Sequence, residues 1–200
     1  MPHQVSAVLL AAGSAKRMGR PKQLLPLGDR TVIEHCIGSI VAAGIKDIVV
    51  VLGPERPEIA GLIKNLPVLI TVNDKEESEM AESVRTGLKA VEGDATGILI
   101  CLVDHPLVLP ETIRTITALH HDYPASIIIP SCNRKRGHPT LFPGDIIREI
   151  FEKKSLREVI DSHAEMIRYL DVADEGVLLD MDTTEDYARI LDRFHGRGRQ

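Results

Sequence analysis

The residues with the clearest chemical potential lie in LLAAGSAKRMGRPKQLLPL, which runs from Leu9 to Leu27. Its apolar part ends at Gly13, and four cationic side chains follow closely: Lys16, Arg17, Arg20 and Lys22. A glycine-rich loop between a strand and a helix can turn its backbone N–H groups toward a phosphate, and nearby cations hold the charge. A bare cationic cluster is also typical of a solvated basic turn. Because glycines and Pro21 are interleaved with these cations behind an apolar run, the pattern favours an anion site.

The loop differs from the two best-known phosphate-binding loops. It contains no G-x-x-x-x-G-K-[ST] motif and is therefore not a Walker A loop. It also lacks the G-x-G-x-x-G fingerprint of dinucleotide-binding folds.

Two acidic segments offer the complementary chemistry. Asp104 comes directly after an apolar run in CLVDHPLV, and Asp180 and Asp182 do the same in LLDMDTTEDYARIL. Mg²⁺ is usually held by one or two carboxylates together with phosphate oxygens. A structural explanation stays open for both segments. An aspartate at a strand end is often a turn or cap residue, and Thr183 with Asp186 has the pattern of a helix N-cap and first-turn acid.

The elements around these motifs predict an α/β fold of three layers with a mostly parallel central sheet. Nearly continuous apolar runs are typical of parallel strands that are covered on both faces. Five runs have this character: Ser6–Ala12, Asp47–Leu52, Val68–Val72, Gly97–Val103 and Ser126–Pro130. Helical patterns occur at Thr31–Ala43, with a capping box formed by Thr31 and Glu34, and at Met80–Val91 and Glu111–His121. This alternation of strands and helices indicates the layered α/β class.

The rhythm changes after Pro130. Short extended segments are predicted at Pro139–Phe142, Met166–Asp171 and Gly176–Met181, with helices at Gly144–Lys153, Leu156–Ser162 and Thr184–Phe194. We predict one domain over residues 1–195, with an N-terminal half to about residue 110 and a C-terminal half over residues 111–195. Residues 196–200 are expected to form a flexible tail.

Ligands of open α/β sheets bind outside the carboxyl ends of the strands. That rule selects the loops after Ala12, Val103 and Leu179, which carry the cations and the carboxylates. The three loops are therefore predicted to form one site.

LAAGSAKRMGRPKQLLPL resembles, almost position for position, the L-A-A-G-x-S-x-R-M-G-x-P-K-x-L-L-P signature of the molybdenum-cofactor cytidylyltransferases. These enzymes belong to the wider family of MobA-like nucleotidyltransferases. The family's serine comes one place early here, at Ser14, Val103 replaces a glycine before the D-x-P motif, and Thr184 replaces a proline. The resemblance extends from Val5 to about Leu191 and implies a Rossmann-like nucleotidyltransferase fold.

Carried onto this chain, the resemblance implies a nucleotide-binding half to about residue 110 and an acceptor-binding half over residues 111–195. It also assigns site residues in every loop. The nucleotide-binding residues would be Leu10, Ala11, Ala12, Gly13, Ser14, Arg17, Lys22, Ser83 and Asp104. Arg17 and Lys22 would hold the phosphates and act in catalysis with Asp104. Mg²⁺ would be bound by Asp104 and Asp182, with Asp180 as the alternative second ligand. The acceptor would contact His105, Gly137, His138 and Pro139, although a lone histidine is more often structural.

Composition narrows the remaining classes. The chain has 44 % hydrophobic and 26 % charged residues, a net charge of −5 and only 3 % aromatic residues. This acidic balance argues against a nucleic-acid partner, and no apolar run reaches the roughly 18 residues of a membrane span. Three widely spaced cysteines and the lack of a basic N-terminal segment favour a reducing cytoplasmic location.

The expected function is Mg²⁺-dependent transfer of CMP from CTP to molybdopterin carrying molybdenum, with release of pyrophosphate. The protein would then contact molybdenum hydroxylase apoenzymes transiently. Two alternatives remain open. One is a cytidylyltransferase for a sugar or polyol phosphate such as methylerythritol phosphate, and the other is a non-catalytic chaperone for the molybdenum cofactor.

Overall fold

A computed structural model of the chain describes residues 4–13, 21–54, 56–75 and 79–197. Its central feature is an eight-stranded sheet in the order β10-β7-β9-β6-β1-β4-β5, with β8 paired to β7, while β2 and β3 form a separate hairpin. The strands are β1 (Val5–Ala11), β2 (Pro26–Leu27), β3 (Arg30–Thr31), β4 (Asp47–Leu52), β5 (Leu69–Val72), β6 (Gly97–Leu102), β7 (Ile127–Cys132), β8 (Lys135–Arg136), β9 (Thr140–Pro143) and β10 (Ile167–Asp171).

The sheet is mostly parallel, as the sequence predicts. Strand β1 pairs in parallel with both β4 and β6, β4 pairs in parallel with β5, and β7 pairs in parallel with β10. Two strands are exceptions: β9 lies antiparallel between β6 and β7, and the short β8 pairs antiparallel with β7. The registers Ala11↔Leu52 and Leu10↔Leu102 bring the carboxyl ends of β1, β4 and β6 to the same edge.

Helices cover both faces of this sheet. They are α1 (Val32–Ala42), α2 (Pro57–Ile63), α3 (Met80–Ala90), α4 (Pro110–Asp122), α5 (Gly144–Ile147), α6 (Leu156–Ser162) and α7 (Thr184–Arg197). Alternate residues of β1 face opposite cores: Leu9 packs with residues of α1, α2 and α4, whereas Val8 packs with residues of α3, α5 and α6. Burial on both faces explains why β1 is a continuous apolar run rather than an alternating one.

Local chemistry fixes several boundaries. Helix α1 begins at the predicted capping box, in which Thr31 Oγ1 and the Thr31 backbone N–H both donate to Glu34 Oε2, at 2.6 and 2.8 Å. Gly44 follows this helix with a φ of 92°, a left-handed conformation that glycine adopts without a steric penalty. Helix α5 is shorter than the predicted Gly144–Lys153, because a 3-10 turn replaces it at Arg148–Phe151.

One prediction for the C-terminal region is wrong, and one helix is longer than predicted. Gly176–Met181 does not form an extended segment, because a 3-10 turn covers Glu175–Leu178 and the Asp174 side chain accepts a hydrogen bond from the Gly176 backbone at 2.9 Å. Helix α7 extends beyond its predicted end at Phe194 and continues to Arg197. A single glycine near a helix end costs only about 1 kcal/mol, which the packed remainder of the helix can offset.

Among the residues that the structure describes, no helix has the length and apolar character needed to cross a membrane.

Candidate active site

Lys22 is held at the carboxyl edge of the sheet by a short turn. A 3-10 turn spans Lys22–Leu24 directly after Pro21, and the Leu24 N–H donates to the Pro21 carbonyl at 3.1 Å. The next side chain, Gln23, is buried, and its Nε2 donates to the carbonyls of Ala11 and Gly13 at 2.6 and 3.3 Å. Gln23 therefore ties the turn to the end of β1, which fixes where Lys22 starts from.

The Lys22 ammonium lies between two carboxylates that are distant in sequence. Its Nζ is 3.0 Å from Asp104 Oδ2 and 3.2 Å from Asp182 Oδ1, and it also donates to the Met181 carbonyl at 3.4 Å. Only 11 % of the Lys22 side chain is exposed. Burial opposes the charge, but the attraction and hydrogen bond of Asp104, with those of Asp182, outweigh it and raise the pKa of Lys22. The amine therefore keeps its positive charge at this edge of the sheet.

Asp104 is positioned by the tight exit from β6. The His105 N–H donates to the Leu102 carbonyl at 3.2 Å, which turns the chain at the aspartate. One of its oxygens bonds Lys22, whereas Oδ1 is buried without a hydrogen-bond partner among the described residues. A buried carboxylate oxygen without a partner costs free energy unless a cation or donor approaches it.

Asp182 is positioned by the start of α7. The Asp186 Oδ2 accepts hydrogen bonds from the backbone N–H groups of Asp182 and Thr183, at 3.2 and 2.9 Å, and Thr183 Oγ1 caps the Asp186 N–H at 3.2 Å. The predicted cap of Thr183 and Asp186 is therefore present. It holds the backbone of Asp182, so the cap is compatible with a ligand role for Asp182. The bonds from Thr183 come first among the causes that lower the pKa of Asp186 to about 2.

Asp104 and Asp182 have the donor set that a divalent cation needs. Carboxylate oxygens are hard ligands, and Mg²⁺ is commonly bound by one or two of them together with phosphate oxygens. Two observations agree with such an ion. Asp104 Oδ1 has no hydrogen-bond partner among the described residues, and the two acids already hold one cation, the Lys22 ammonium, between them. Asp180 is exposed and lines a neighbouring cleft instead. In the described part of the chain, no group of three or more His, Cys, Asp or Glu side chains has metal-site geometry.

The predicted nucleotide-binding residues that the structure describes differ in how they relate to the site. Leu10 and Ala11 point into the cores, so only their backbones face the site edge, whereas Ala12 and Gly13 lie beyond the strand. Ser83 is buried in the first turns of α3, where its Oγ accepts a hydrogen bond from Asn73 Nδ2 at 3.0 Å. Ser14 and Arg17 lie outside the described residues.

Three of the four predicted acceptor residues line a cleft of about 590 Å³ beside Asp104. Its wall includes His105, Gly137 and His138 from the predicted set, together with Asp180 and Arg193. Gly137 packs so closely that a Cβ atom there would lie 2.5 Å from the Val177 carbonyl oxygen. Pro139 is buried and lines a smaller pocket behind the histidines instead.

Two neutral imidazoles separate this cleft from the core. The rings of His105 and His138 are 5.0 Å apart between centroids, and the Nδ1 atom of each is buried without a partner among the described residues. Burial lowers the pKa of His138 to about 4, and the nearby His105 adds to this effect. Burial also lowers the pKa of His105, against the opposing influence of Asp104 and Asp180. Neutral imidazoles can donate and accept hydrogen bonds without adding charge.

Sequence reasoning missed several residues that shape the site. No recognised motif singles out Gln23, which in the sequence is only a polar residue before an apolar run. Position 53 has no room for a side chain, because a Cβ atom on Gly53 would lie 2.8 Å from the Ala12 carbonyl oxygen. Asp174 accepts hydrogen bonds from the Leu109 N–H and Thr112 Oγ1, at 2.8 and 2.9 Å, and so ties the loop after β6 to the segment before Asp182.

Comparison with known proteins adds a family relationship to this geometry. The family model of the MobA-like NTP transferase domain matches residues 7–167. The nicotine blue oxidoreductase of Paenarthrobacter nicotinovorans is 29% identical over 199 residues, which cover 94% of this chain and 96% of that protein. The 2-C-methyl-D-erythritol 4-phosphate cytidylyltransferase of Escherichia coli O7:K1 is 34% identical over 119 residues, which cover 58% of this chain and 49% of that protein.

A solved structure agrees with the fold over nearly the whole chain. Rv0371c from Mycobacterium tuberculosis H37Rv superposes with a TM-score of 0.86 at 31% identity, covering 96% of this chain and 99% of that one. A second structure of Rv0371c, in complex with manganese, gives a TM-score of 0.81 at 30% identity, covering 96% of this chain and all of that one. A nucleotidyl transferase from Methanothermobacter thermautotroptrophicus gives a TM-score of 0.84 at 27% identity, covering 97% of this chain and 99% of that one. Together with the family match, this agreement identifies the α/β architecture as a nucleotidyltransferase fold.

Proposed function

Because this chain belongs to the family with a MobA-like NTP transferase domain and is therefore a nucleotidyltransferase, we propose that it transfers CMP from CTP to molybdopterin. The single observation that carries the proposal is the cluster of Lys22, Asp104 and Asp182 at the carboxyl edge of the sheet. A cation and two carboxylates that converge from separate loops suit a metal–triphosphate complex. Gly13, where the basic loop begins, lies at the same edge.

In the proposed reaction, an oxygen of the acceptor's phosphate attacks the α-phosphorus of CTP. A new P–O bond forms as the bond between the α-phosphorus and the bridging oxygen breaks, and pyrophosphate leaves with that electron pair. Lys22 offers a mobile point charge to the phosphates, and Asp104 and Asp182 would hold Mg²⁺. When bound there, Mg²⁺ supplies charge neutralisation and orientation for the phosphates. Positioning and electrostatics carry such catalysis without a covalent intermediate.

The acceptor is proposed to occupy the cleft of about 590 Å³ that His105, Gly137 and His138 border. Its closeness to Asp104 supports this placement, because His105 Nε2 is 3.9 Å from Asp104 Oδ1. An acceptor in the cleft would therefore reach the metal side of the nucleotide. We place the reaction in the cytoplasm and expect the product to pass to a molybdenum hydroxylase apoenzyme by transient contact.

The choice of CTP and molybdopterin rests on the motif resemblance. The chain reads Leu10-Ala11-Ala12-Gly13 and Arg17-Met18-Gly19-Arg20-Pro21-Lys22, as cytidylyl-transferring relatives do. The partial match to a methylerythritol-phosphate cytidylyltransferase keeps a polyol-phosphate acceptor as the main alternative. A cofactor-binding chaperone would not need two carboxylates aimed at one cation.

The test is a pyrophosphate-release assay with each of the four nucleotides, with and without molybdopterin or methylerythritol phosphate. CTP with molybdopterin should give the highest kcat/KM, at least about tenfold above GTP. Equal use of GTP would move the protein to guanylyl transfer, and turnover with methylerythritol phosphate alone would reassign the acceptor. A parallel assay of NADH and NADPH oxidation addresses the oxidoreductase named among the relatives. Nicotinamide oxidation without pyrophosphate release would overturn the proposal.

A further inference from the structure

Lys22 occupies the space in which the proposed metal would meet both of its carboxylates. Its Nζ is 3.0 Å from Asp104 Oδ2 and 3.2 Å from Asp182 Oδ1. An ion that bound these two oxygens, as Mg²⁺ does at about 2.0–2.1 Å, would compete with the ammonium for them. Two cations this close to each other would repel strongly.

The ammonium also explains how the two acids stay together before any ligand arrives. Asp104 and Asp182 come from loops that lie 82 and 160 residues from Lys22 in sequence. Without a cation between them, two carboxylates at one edge would repel each other and separate. The third contact of Lys22, to the Met181 carbonyl at 3.4 Å, keeps the amine on the side of the Asp182 loop.

We propose that Lys22 is the resident counter-ion of the Asp104–Asp182 pair and that it leaves the pair for the triphosphate when metal and nucleotide bind. This inference rests on the proposed function, because it assumes that Asp104 and Asp182 hold the metal. A lysine suits the task, since its ammonium is a point charge on a flexible four-carbon stem. An arginine fork would hold a carboxylate more rigidly.

Two consequences follow for the binding of metal. In the absence of nucleotide, a divalent ion must compete with Lys22 and therefore binds weakly. With nucleotide present, the displaced ammonium gains phosphate oxygens, so metal and nucleotide strengthen each other's binding. Such coupling is reciprocal by thermodynamic necessity. The arrangement would keep the two carboxylates close together and would keep metal binding weak until the nucleotide is present.

The first experiment measures Mn²⁺ affinity by electron paramagnetic resonance without nucleotide. Wild type is compared with Lys22→Met, which keeps the stem and removes the charge, and with Lys64→Met as a control. Lys64 is an exposed lysine at the end of α2, so its loss changes net charge equally. Lys22→Met should bind Mn²⁺ at least about threefold more tightly than wild type, because the competing cation is gone. Lys64→Met should match wild type.

The double variant Asp104→Asn/Asp182→Asn separates the two claims. If the double variant no longer binds Mn²⁺ while wild type and Lys22→Met bind it with equal affinity, the counter-ion inference is overturned and the metal site stands. If it binds Mn²⁺ as wild type does, or if no variant binds, the metal assignment in the proposed function falls and the inference falls with it.

A second experiment uses only the wild-type protein, so it does not depend on the folding of a variant. Amine acetylation is followed by mass spectrometry with and without saturating Mn²⁺, and Lys64 serves as the internal reference. Because Lys22 is only 11 % exposed and bound to two carboxylates, it should react slowly in the free protein. Mn²⁺ should raise its rate at least about threefold relative to Lys64 as the amine is released. An unchanged or slower rate would overturn the inference.

Discussion

At the scale of single residues, the site depends on charge more than on shape. Lys22 is the one described residue that contacts both Asp104 and Asp182, and the pKa of its ammonium is raised despite burial. Each member of this trio has an opposite charge as its partner. A substitution that removes one charge therefore leaves the others uncompensated, which costs more than the loss of a neutral contact.

Lys22→Ala should lower kcat by about 10²–10³-fold while it changes the KM for the nucleotide much less. The reason is that a cation bound to the phosphates matters most where negative charge develops on the departing pyrophosphate. Steady-state pyrophosphate release measures both constants, and Lys64→Ala is the matched control on the surface. A kcat within a few-fold of wild type would contradict the role of Lys22 in catalysis.

The two candidate second ligands should separate by mutation. Asp182→Asn should lower Mg²⁺-dependent kcat by at least about 10²-fold, because the amide keeps the shape and removes the charge that attracts the ion. Asp104→Asn should behave in the same way. Asp180→Asn should be milder, since Asp180 lines the cleft, whereas it is Asp182 that contacts Lys22. The measurement is kcat as a function of Mg²⁺ concentration, and the reverse order would make Asp180 the ligand.

At the scale of elements, the ends of β1 and β6 and the start of α7 control the site. The parallel pairing of β1 with β6 places the loops after them side by side. The Asp182 loop is added by the hydrogen bonds between Thr183 and Asp186 at the start of α7 and by the buried Met181. A substitution that disrupts this helix cap should therefore alter the position of Asp182.

Thr183→Ala should lower the free energy of unfolding by about 1 kcal/mol, the usual cost of an N-cap. It should also lower kcat, because the cap holds the backbone from which Asp182 projects. Chemical denaturation and the pyrophosphate-release assay measure the two effects. Thr183→Ser keeps the hydroxyl group and should restore both. Full stability in the alanine variant, or equal damage in the serine variant, would contradict the capping role.

The elements show what sequence patterns could and could not predict. The buried parallel strands were predictable because burial on both faces leaves a continuous apolar run. Helix α2 was missed, although Pro57 at its first turn is a recognised start signal. Gly176–Met181 was misjudged because its apolar residues are buried by a turn. That turn depends on Asp174, whose bonds to Leu109 and Thr112 join segments far apart in sequence.

The site was predictable to a similar extent. Topology alone brings the loops after β1 and β6 together, so Asp104 and the basic loop could be placed near each other without a structure. The contact of Lys22 with Asp182 required knowledge of where α7 packs. The anchors Gln23 and Asn73 were not predictable, since the partner that a buried amide takes depends on neighbours supplied by the tertiary fold.

At the scale of the whole molecule, the buried His105 and the partly buried His138 link global stability to pH. Both lie between the sheet and the cleft, with their rings 5.0 Å apart. Burial is the main reason that the pKa of His138 falls to about 4, from 6.5 for an unperturbed side chain. The folded protein therefore keeps this imidazole neutral at pH values where the unfolded chain would protonate it.

The free energy of unfolding should therefore fall as the pH decreases from about 7 to about 4. Between these values the unfolded state binds more protons than the folded state, so acid favours unfolding. A pKa lowered from 6.5 to about 4 corresponds to at most about 3 kcal/mol. Below a pH of about 4 the folded state also takes up the proton, and this contribution does not decrease further.

His138→Asn isolates the effect, because asparagine offers polar atoms but does not titrate. Urea denaturation at several pH values should show that the variant loses less stability than wild type between pH 7 and pH 4. The difference between the two proteins cancels the carboxylates that titrate in the same range. His195→Asn, at an exposed position of α7, is the matched control and should keep the wild-type slope. If His138→Asn kept that slope too, His138 would be accessible to protons in the folded protein, and the buried neutral pair could not form this wall of the cleft.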